Sequence, residues 1–171
     1  MQLLLMDLLL TAGLPWPTIL YTIVMDEVMV VTGLVGALVA SSYKVRVLLQ
    51  LYLEDVVLTL RSGQWGYFVF ATVALYFIAF NVIIVGRTHA DHIDKATVGK
   101  TYKVCSAWTM FLWFIYPIAW GLCEGGNVIS PDSEAVFYGV LDILAKPVFG
   151  ALLLIGHRNI DPLMLGLRIR E

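Results

Sequence analysis

Apolar positions along this chain fall in long, nearly unbroken runs separated by short polar stretches. About 20 such residues are needed to cross a bilayer as a helix. Four runs reach that length, about 18–40, 66–86, 104–123 and 134–156, each bounded by Pro, Gly or charge. A fifth, Leu3-Leu4-Leu5-Met6-Asp7-Leu8-Leu9-Leu10, meets the break Gly13-Leu14-Pro15-Trp16-Pro17 after about a dozen residues, half of what a crossing requires. It has neither a basic leading region nor a small-residue cleavage site, so it does not read as a signal peptide. The pattern predicts an all-α, multi-pass transmembrane bundle over 1–171, a single unit of about four full spans plus a half helix.

Composition sharpens this picture. The chain is 60% hydrophobic and 14% charged, and its mean hydropathy is +0.84, which sets it apart from soluble domains. A net charge of −2 offers no footprint for nucleic acid. The connection Arg87 to Lys103 holds Arg87, Lys95, Lys100 and Lys103, and the tail holds Arg158, Arg168 and Arg170; Cys123 to Glu134 holds Glu124, Asp132 and Glu134 without a basic residue. Basic loops stay on the cytoplasmic side, so the Arg87–Lys103 connection and the C-terminal tail are expected inside and the acidic loop outside. Cys105 and Cys123 fall on one predicted helix, about 27 Å apart and too far to bridge.

The stretch from Val45 to Gln64 breaks the order, because it is apolar yet carries Glu54-Asp55 near its centre. Two central acids disfavour insertion by several kcal/mol, so as structure it is expected to form an interfacial helix or a loop. Removing it joins Tyr43-Lys44 to Trp65-Gly66-Tyr67-Phe68. Its first residue is valine, whose codons begin GT, and its last is glutamine, which CAG encodes. A retained in-frame intron of twenty codons would have this form, and 45–64 is expected to be such an insert.

The candidate chemistry lies in Asp142-Ile143-Leu144-Ala145-Lys146. Four residues apart on a helix, the acid and the amine share one face, and an ionisable pair at membrane depth marks a functional site. A lysine shielded from water is a good nucleophile toward an aldehyde, giving a Schiff base, and the carboxylate can stabilise the protonated imine. A lysine snorkelling from a helix end is the alternative the motif leaves open. Trp113, Tyr116 and Trp120 form a stripe at i, i+3 and i+7 that suits ordinary packing as well as a cofactor wall, and Pro117 interrupts the helix there. His89, Asp91, His92 and Asp94 lack a recognised metal-ligand spacing and read as a solvated loop. With no phosphate loop, nucleophile elbow or zinc-peptidase motif, no enzyme reading has residues to rest on.

Taken together, Trp113-x-x-Tyr116-Pro117-x-x-Trp120 followed by Asp142-x-x-x-Lys146 resembles the last two helices of microbial (type 1) rhodopsins. Asp26-Glu27-Val28-Met29-Val30-Val31-Thr32-Gly33-Leu34-Val35-Gly36-Ala37-Leu38 resembles the fourth helix of that family, and Leu3 to Leu10 the cytoplasmic half of the third. The tail His157-Arg158-Asn159-Ile160-Asp161-Pro162 and the loop Gly99-Lys100-Thr101-Tyr102-Lys103 are similar to the fungal branch. Apart from 45–64 the likeness covers nearly the whole chain.

The resemblance implies all-trans retinal as cofactor, bound covalently at Lys146, with Asp142 one of two counterion carboxylates and Tyr116 hydrogen-bonded to it. It implies that Trp113 and Trp120 flank the polyene, that Tyr116 and Pro117 complete that wall, and that Met29, Thr32 and Gly33 line the opposite side, with Thr72 and Leu75 contributing from the next helix. Asp7 matches the cytoplasmic proton donor of pumping members, a buried acid. Glu124 and Glu134 match outer carboxylates associated with proton release, although solvated loop acids fit them equally. Asp26 matches an acid near the retinal ring with a structural role. The first two helices and the outer half of the third have no counterpart, nor have the primary proton acceptor, its threonine and the arginine below it, and Met1-Gln2 stand where the family usually has Thr-Pro. The expectation is therefore part of a seven-helix rhodopsin, truncated at its N-terminus, with Met1 a start inside a longer reading frame.

The function expected is that of a retinal-binding, light-responsive membrane protein, not an enzyme, descended from a light-driven proton pump, with this chain an inactive fragment. Its partners are the lipid bilayer and retinal, a homo-oligomer is compatible with it, and the plasma membrane is its expected location. The rival is a non-photoactive, opsin-related membrane interaction or chaperone-like protein of fungi, in which the retinal lysine is typically missing; Lys146 is kept here.

Overall fold

The computed structural model describes residues 2–47, 54–126, 128–158 and 160, and within them the side chains of 2–38, 63 and from 65 onward. Helix α1 spans Gln2–Thr11. One turn advances 3.6 residues, so Leu5, Leu8, Leu9 and Ala12 share a face, and that face is buried. Gly13 ends the helix at φ 66°, a left-handed conformation that glycine adopts without strain. Its N–H donates to Leu10 O at 2.9 Å and that of Leu14 to Leu9 O at 3.4 Å, the paired bonds of a Schellman cap. Pro15 then starts the next helix by accepting from the N–H groups of Thr18 and Ile19.

Helix α2 runs Trp16–Val47 and α3 runs Glu54–Phe80; the two pack side by side along much of their length. Helix α3 passes through a π-helical segment, Asn81–Gly86, into α4, Arg87–Asp94. Helix α5, Val98–Trp120, ends in a second π-helical segment, Gly121–Gly125, and α6, Pro131–Ile143, reaches α7, Phe149–His157, through a third, Leu144–Val148. Ser130 caps α6 by accepting from Ser133 N–H, and Pro131 occupies its first turn, where a missing N–H does no harm. Four helical runs among the described residues are long and apolar enough to span a membrane, Trp16–Leu38, Trp65–Asp94, Val98–Gly125 and Pro131–His157, and Gln2–Thr11 is the half-length one. This is a multi-pass membrane protein.

Two expectations change. The basic connection between the second and third spans is helical for most of its length, and α5 begins at Val98 rather than near 104. Hydropathy falls where the charges begin, but a helix supplies its own backbone bonds and continues past the apolar zone. Asp94 tightens the turn by accepting from Ala96 N–H at 3.0 Å and from the Thr97 hydroxyl, and Lys103 pairs with Asp91 at 2.9 Å. The whole 45–64 stretch was expected to form a loop or an interfacial helix; its backbone is helical at both ends, closing α2 at 45–47 and opening α3 at 54–64, and residues 48–53 lie outside the described residues.

The π-helical segments leave carbonyl groups needing donors, and aromatic side chains supply them. Tyr102, fully buried, donates its hydroxyl to Val82 O at 2.8 Å, and Trp108 donates its indole N–H to Leu144 O at 3.1 Å. Gly86 is what lets Tyr102 in, since a Cβ there would lie 2.0 Å from the phenol oxygen. Gly86→Ala should therefore destabilise the bundle by about 1–3 kcal/mol through overpacking, read as a lower midpoint in thermal unfolding followed by circular dichroism. Adding Tyr102→Phe should recover only part of the loss, because Val82 O is then left without its donor.

Candidate cofactor site

Helices α2, α3, α5 and α6 enclose a cavity of about 300 Å³, the lower end of the range for small-molecule sites. Nine of the eleven residues expected around a chromophore line it: Met29 and Gly33 from α2, Thr72 and Leu75 from α3, Trp113, Tyr116, Pro117 and Trp120 from α5, and Asp142 from α6. Stacking sets the aromatic part, with Phe68 and Trp120 rings 4.7 Å apart and Trp65 edge-on to both.

At the cavity's edge the Lys146 amine donates to Asp142 Oδ2 at 2.5 Å, and the Tyr116 hydroxyl donates to Asp142 Oδ1 at 2.7 Å. One carboxylate thus takes a bond on each oxygen, which fixes its orientation between α5 and α6. Lys146 lies in the π-helical segment and precedes Pro147. Proline lacks the N–H that would bond one turn back and crowds the carbonyl there, and a π-helical turn is one way to relieve that crowding, often at functional positions. The pair is not shielded from water as expected: the side chains of Lys146 and Asp142 are 43% and 49% exposed. The surrounding walls cover one side of the pair and leave the other open.

Two expected residues are not in the cavity wall. Lys146 is one turn beyond it, reaching it through Asp142. Thr32 turns its hydroxyl onto its own helix, donating to Val28 O at 2.6 Å. Asp26, by contrast, lines the cavity, is fully buried, and has both carboxyl oxygens without a partner among the described residues. The Trp120 indole N–H is likewise unpartnered there. Val30, Phe68, Ala71 and Tyr138 complete the wall and were not anticipated. The signal was present for several: Phe68, Ala71, Thr72 and Leu75 form an i, i+3, i+4, i+7 stripe, and Tyr138 stands one turn before Asp142.

Of the expected proton-transfer residues, Glu124 lies in the π-helical segment after α5 and Glu134 in the first turn of α6, both half-buried. Neither lines the cavity; they stand at the end of α5 and the start of α6, on either side of the connection between the two helices. Asp7 departs from expectation because its side chain is exposed. Leu5, Leu8 and Leu9 point into the core, and a residue at position 7 is rotated about 100° or more from each of them.

The family model described as bacteriorhodopsin-like protein matches residues 2–160. The chain belongs to the bacteriorhodopsin-like family. Among curated relatives, the opsin-like protein carO of Fusarium fujikuroi is 57% identical over 169 residues, covering 99% of this chain and 48% of the relative. Protein FDD123 of Trametes versicolor is 38% identical over 96% of this chain and 51% of its own length. Among solved structures, the light-driven proton pump LR (Mac) from Leptosphaeria maculans superposes with a TM-score of 0.77 at 33% identity, covering 96% of this chain and 58% of that one. The chain spans about half the length of the curated relatives it matches. Membership of this rhodopsin family accounts for the all-α membrane bundle and sets the chain among non-enzymes.

Proposed function

We propose that the whole protein is a retinal-binding, light-responsive membrane protein of fungal opsin type, descended from a light-driven proton pump, with all-trans retinal attached at Lys146. The observation that carries this reading is a lysine amine paired with a tyrosine-held carboxylate at the edge of an aromatic-walled cavity. A long apolar aldehyde fits that chemistry, since the walls are largely apolar and an amine, the group that condenses with an aldehyde, stands beside them. When bound, retinal supplies the absorption of light and the isomerisation that follows.

The residues of the chain do the rest. Lys146 attaches the cofactor, and Asp142 holds a negative charge 2.5 Å from its nitrogen. Tyr116 keeps that carboxylate from turning away, while Trp113, Trp120 and Pro117 confine the chain of the cofactor against Met29, Gly33, Thr72 and Leu75. Asp7 is the group that returns a proton to the lysine nitrogen from the cytoplasmic side, and Glu124 with Glu134 releases protons outside. Relatives about twice as long have further chain with which to cover the open side of Lys146 and the outer face of α1 where Asp7 lies. The basic end of the bundle, with the C-terminus, faces the cytoplasm, and the plasma membrane is its location. Adding all-trans retinal to the full-length protein should produce a visible absorption band. The 171-residue chain alone should hold little pigment, because water reaches the half-exposed lysine and hydrolyses the bond.

The 45–64 stretch is proposed to be a retained intron, a reading supported by its two acids amid apolar residues and by the valine and glutamine at its ends, whose codons fit splice signals. Mature message should join the codons for Lys44 and Trp65 directly. Abundant peptides from Val47 to Thr59 in membranes of the source organism would overturn this.

A further inference from the structure

The lysine at the cavity's edge stands on a turn that is held from outside its own helix. Leu144 opens the π-helical segment Leu144–Val148, and Lys146 is its middle residue. The Trp108 indole N–H donates to Leu144 O at 3.1 Å. Among the described residues no other side chain from a different helix bonds to the backbone of this segment. The Phe149 N–H, the donor that a π-helical turn offers Leu144 O, bonds to Lys146 O, and the indole gives that carbonyl a donor from α5. Trp108 is half-buried and packs against both buried clusters of the bundle. In the smaller one, Leu112 and Ala119 of α5 are buried with Leu141 of α6 and Ala145, the neighbour of Leu144. Packing thus holds the ring, and the N–H has a fixed aim.

We propose that Trp108 is a positioning residue for Lys146: by holding Leu144 O it keeps the π-helical turn that aims the amine at Asp142. This rests on the reading of Lys146 as the point where retinal is attached. Two bonds from α5 then bracket the lysine. Tyr116, through Asp142, fixes the charge that the amine meets, and Trp108 fixes the backbone from which the amine starts. Register is what the indole controls. A π-helical turn closes on the fifth residue and an α-helical turn on the fourth, so a slip between the two rotates the side chains that follow by up to one residue, about 100°. Asp142 precedes the segment and Lys146 lies within it, so a slip moves one against the other and opens the 2.5 Å contact between them. Pro147 has no N–H and leaves the segment one backbone bond fewer with which to resist. Trp108 is not among the residues lining the cavity, so its effect on a bound cofactor runs through the turn.

The test is the dark absorption spectrum of the full-length pigment formed with all-trans retinal. Trp108→Phe keeps an aromatic ring and removes the N–H. Its band should lie at longer wavelength than that of the wild type, because a carboxylate held close to the lysine nitrogen lowers the ground state, and a loosened one lowers it less. Hydroxylamine should bleach the variant in the dark about three- to tenfold faster, the worth of one hydrogen bond. Gly86→Ala is the control, since it loosens the bundle away from the cavity and should lower the thermal midpoint without moving the band; a merely structural role for Trp108 predicts the same of Trp108→Phe. Ultraviolet resonance Raman spectra of the retinal-free protein test the bond itself: the difference between wild type and Trp108→Phe should carry the band of a hydrogen-bonded indole N–H. A free-indole band there, or a variant whose absorption and bleaching rate match the wild type, overturns the proposal. If Trp108→Phe yields no pigment, Trp108→benzothienylalanine, which keeps both rings and carries sulfur in place of the N–H, decides by the same readings. Failure of the underlying reading is seen separately, as an unchanged pigment in Lys146→Ala, and it takes this proposal with it.

Discussion

Lys146→Ala in the full-length protein should abolish the visible band altogether, the largest effect of any single substitution in this chain. The variant loses the nucleophile at the cavity's edge, and the residues lining the cavity include no amine to replace it. Lys146→Arg separates two roles that alanine removes together. A guanidinium keeps a positive charge beside Asp142 yet does not act as an amine nucleophile, so the ion pair survives and the pigment should still be lost. Absorption spectra after incubation with all-trans retinal read both variants, and tritiated borohydride reduction followed by peptide mapping locates the attachment in the wild type. A pigment of unchanged yield in Lys146→Ala would move the attachment elsewhere and remove the observation on which the functional reading stands.

The site was legible in the sequence to the extent that it is local. Asp142 and Lys146 lie four residues apart on one element, and Trp113, Tyr116, Pro117 and Trp120 on another, so helical geometry brings each set to one face without knowledge of the fold. The bond between the sets, from Tyr116 to Asp142, spans 26 residues and came from the family resemblance rather than from spacing. Trp108 was invisible for the same reason: its bond to Leu144 O spans 36 residues and depends on a π-helical turn next to Lys146. Proline at 147 hints at a disturbed helix but does not say which carbonyl is served by which donor.

The fold was legible because lipid leaves a chain few ways to satisfy its backbone, and hydropathy therefore marks the spans. The last span was expected at 134–156 and is Pro131–His157, the extra residues being the proline-started, serine-capped first turn. The error at α5 was larger because Lys100 and Lys103 end the apolar signal while the helix goes on, held by Lys103 to Asp91 and by Thr101 to Gly156 O. Hydropathy reads the bilayer, not the hydrogen bonds. Thr32 shows the same limit at the scale of one side chain: helical phase brings it near the cavity, but its hydroxyl is spent on Val28 O.

Asp7→Asn in the full-length protein should leave the colour nearly intact and slow the return of a proton to the lysine nitrogen by one to several orders of magnitude. Colour is set by charge near that nitrogen, where Asp142 and Tyr116 stand, and Asp7 is not among the residues lining the cavity. An amide holds the same shape and cannot supply the proton, so the transfer must wait for one from water, and general acid catalysis of about 10²–10⁴-fold is forfeited. Azide, a small diffusible acid, should restore part of the rate in the variant by entering from the cytoplasmic side. The exposure of Asp7 on the outer face of α1 gives this prediction its edge. If the acid stays solvated in the full-length protein and takes no part in the transfer, wild type and Asp7→Asn would show equally fast photocycles. A slowed variant rescued by azide means instead that further chain covers this face and keeps the acid ready to give its proton.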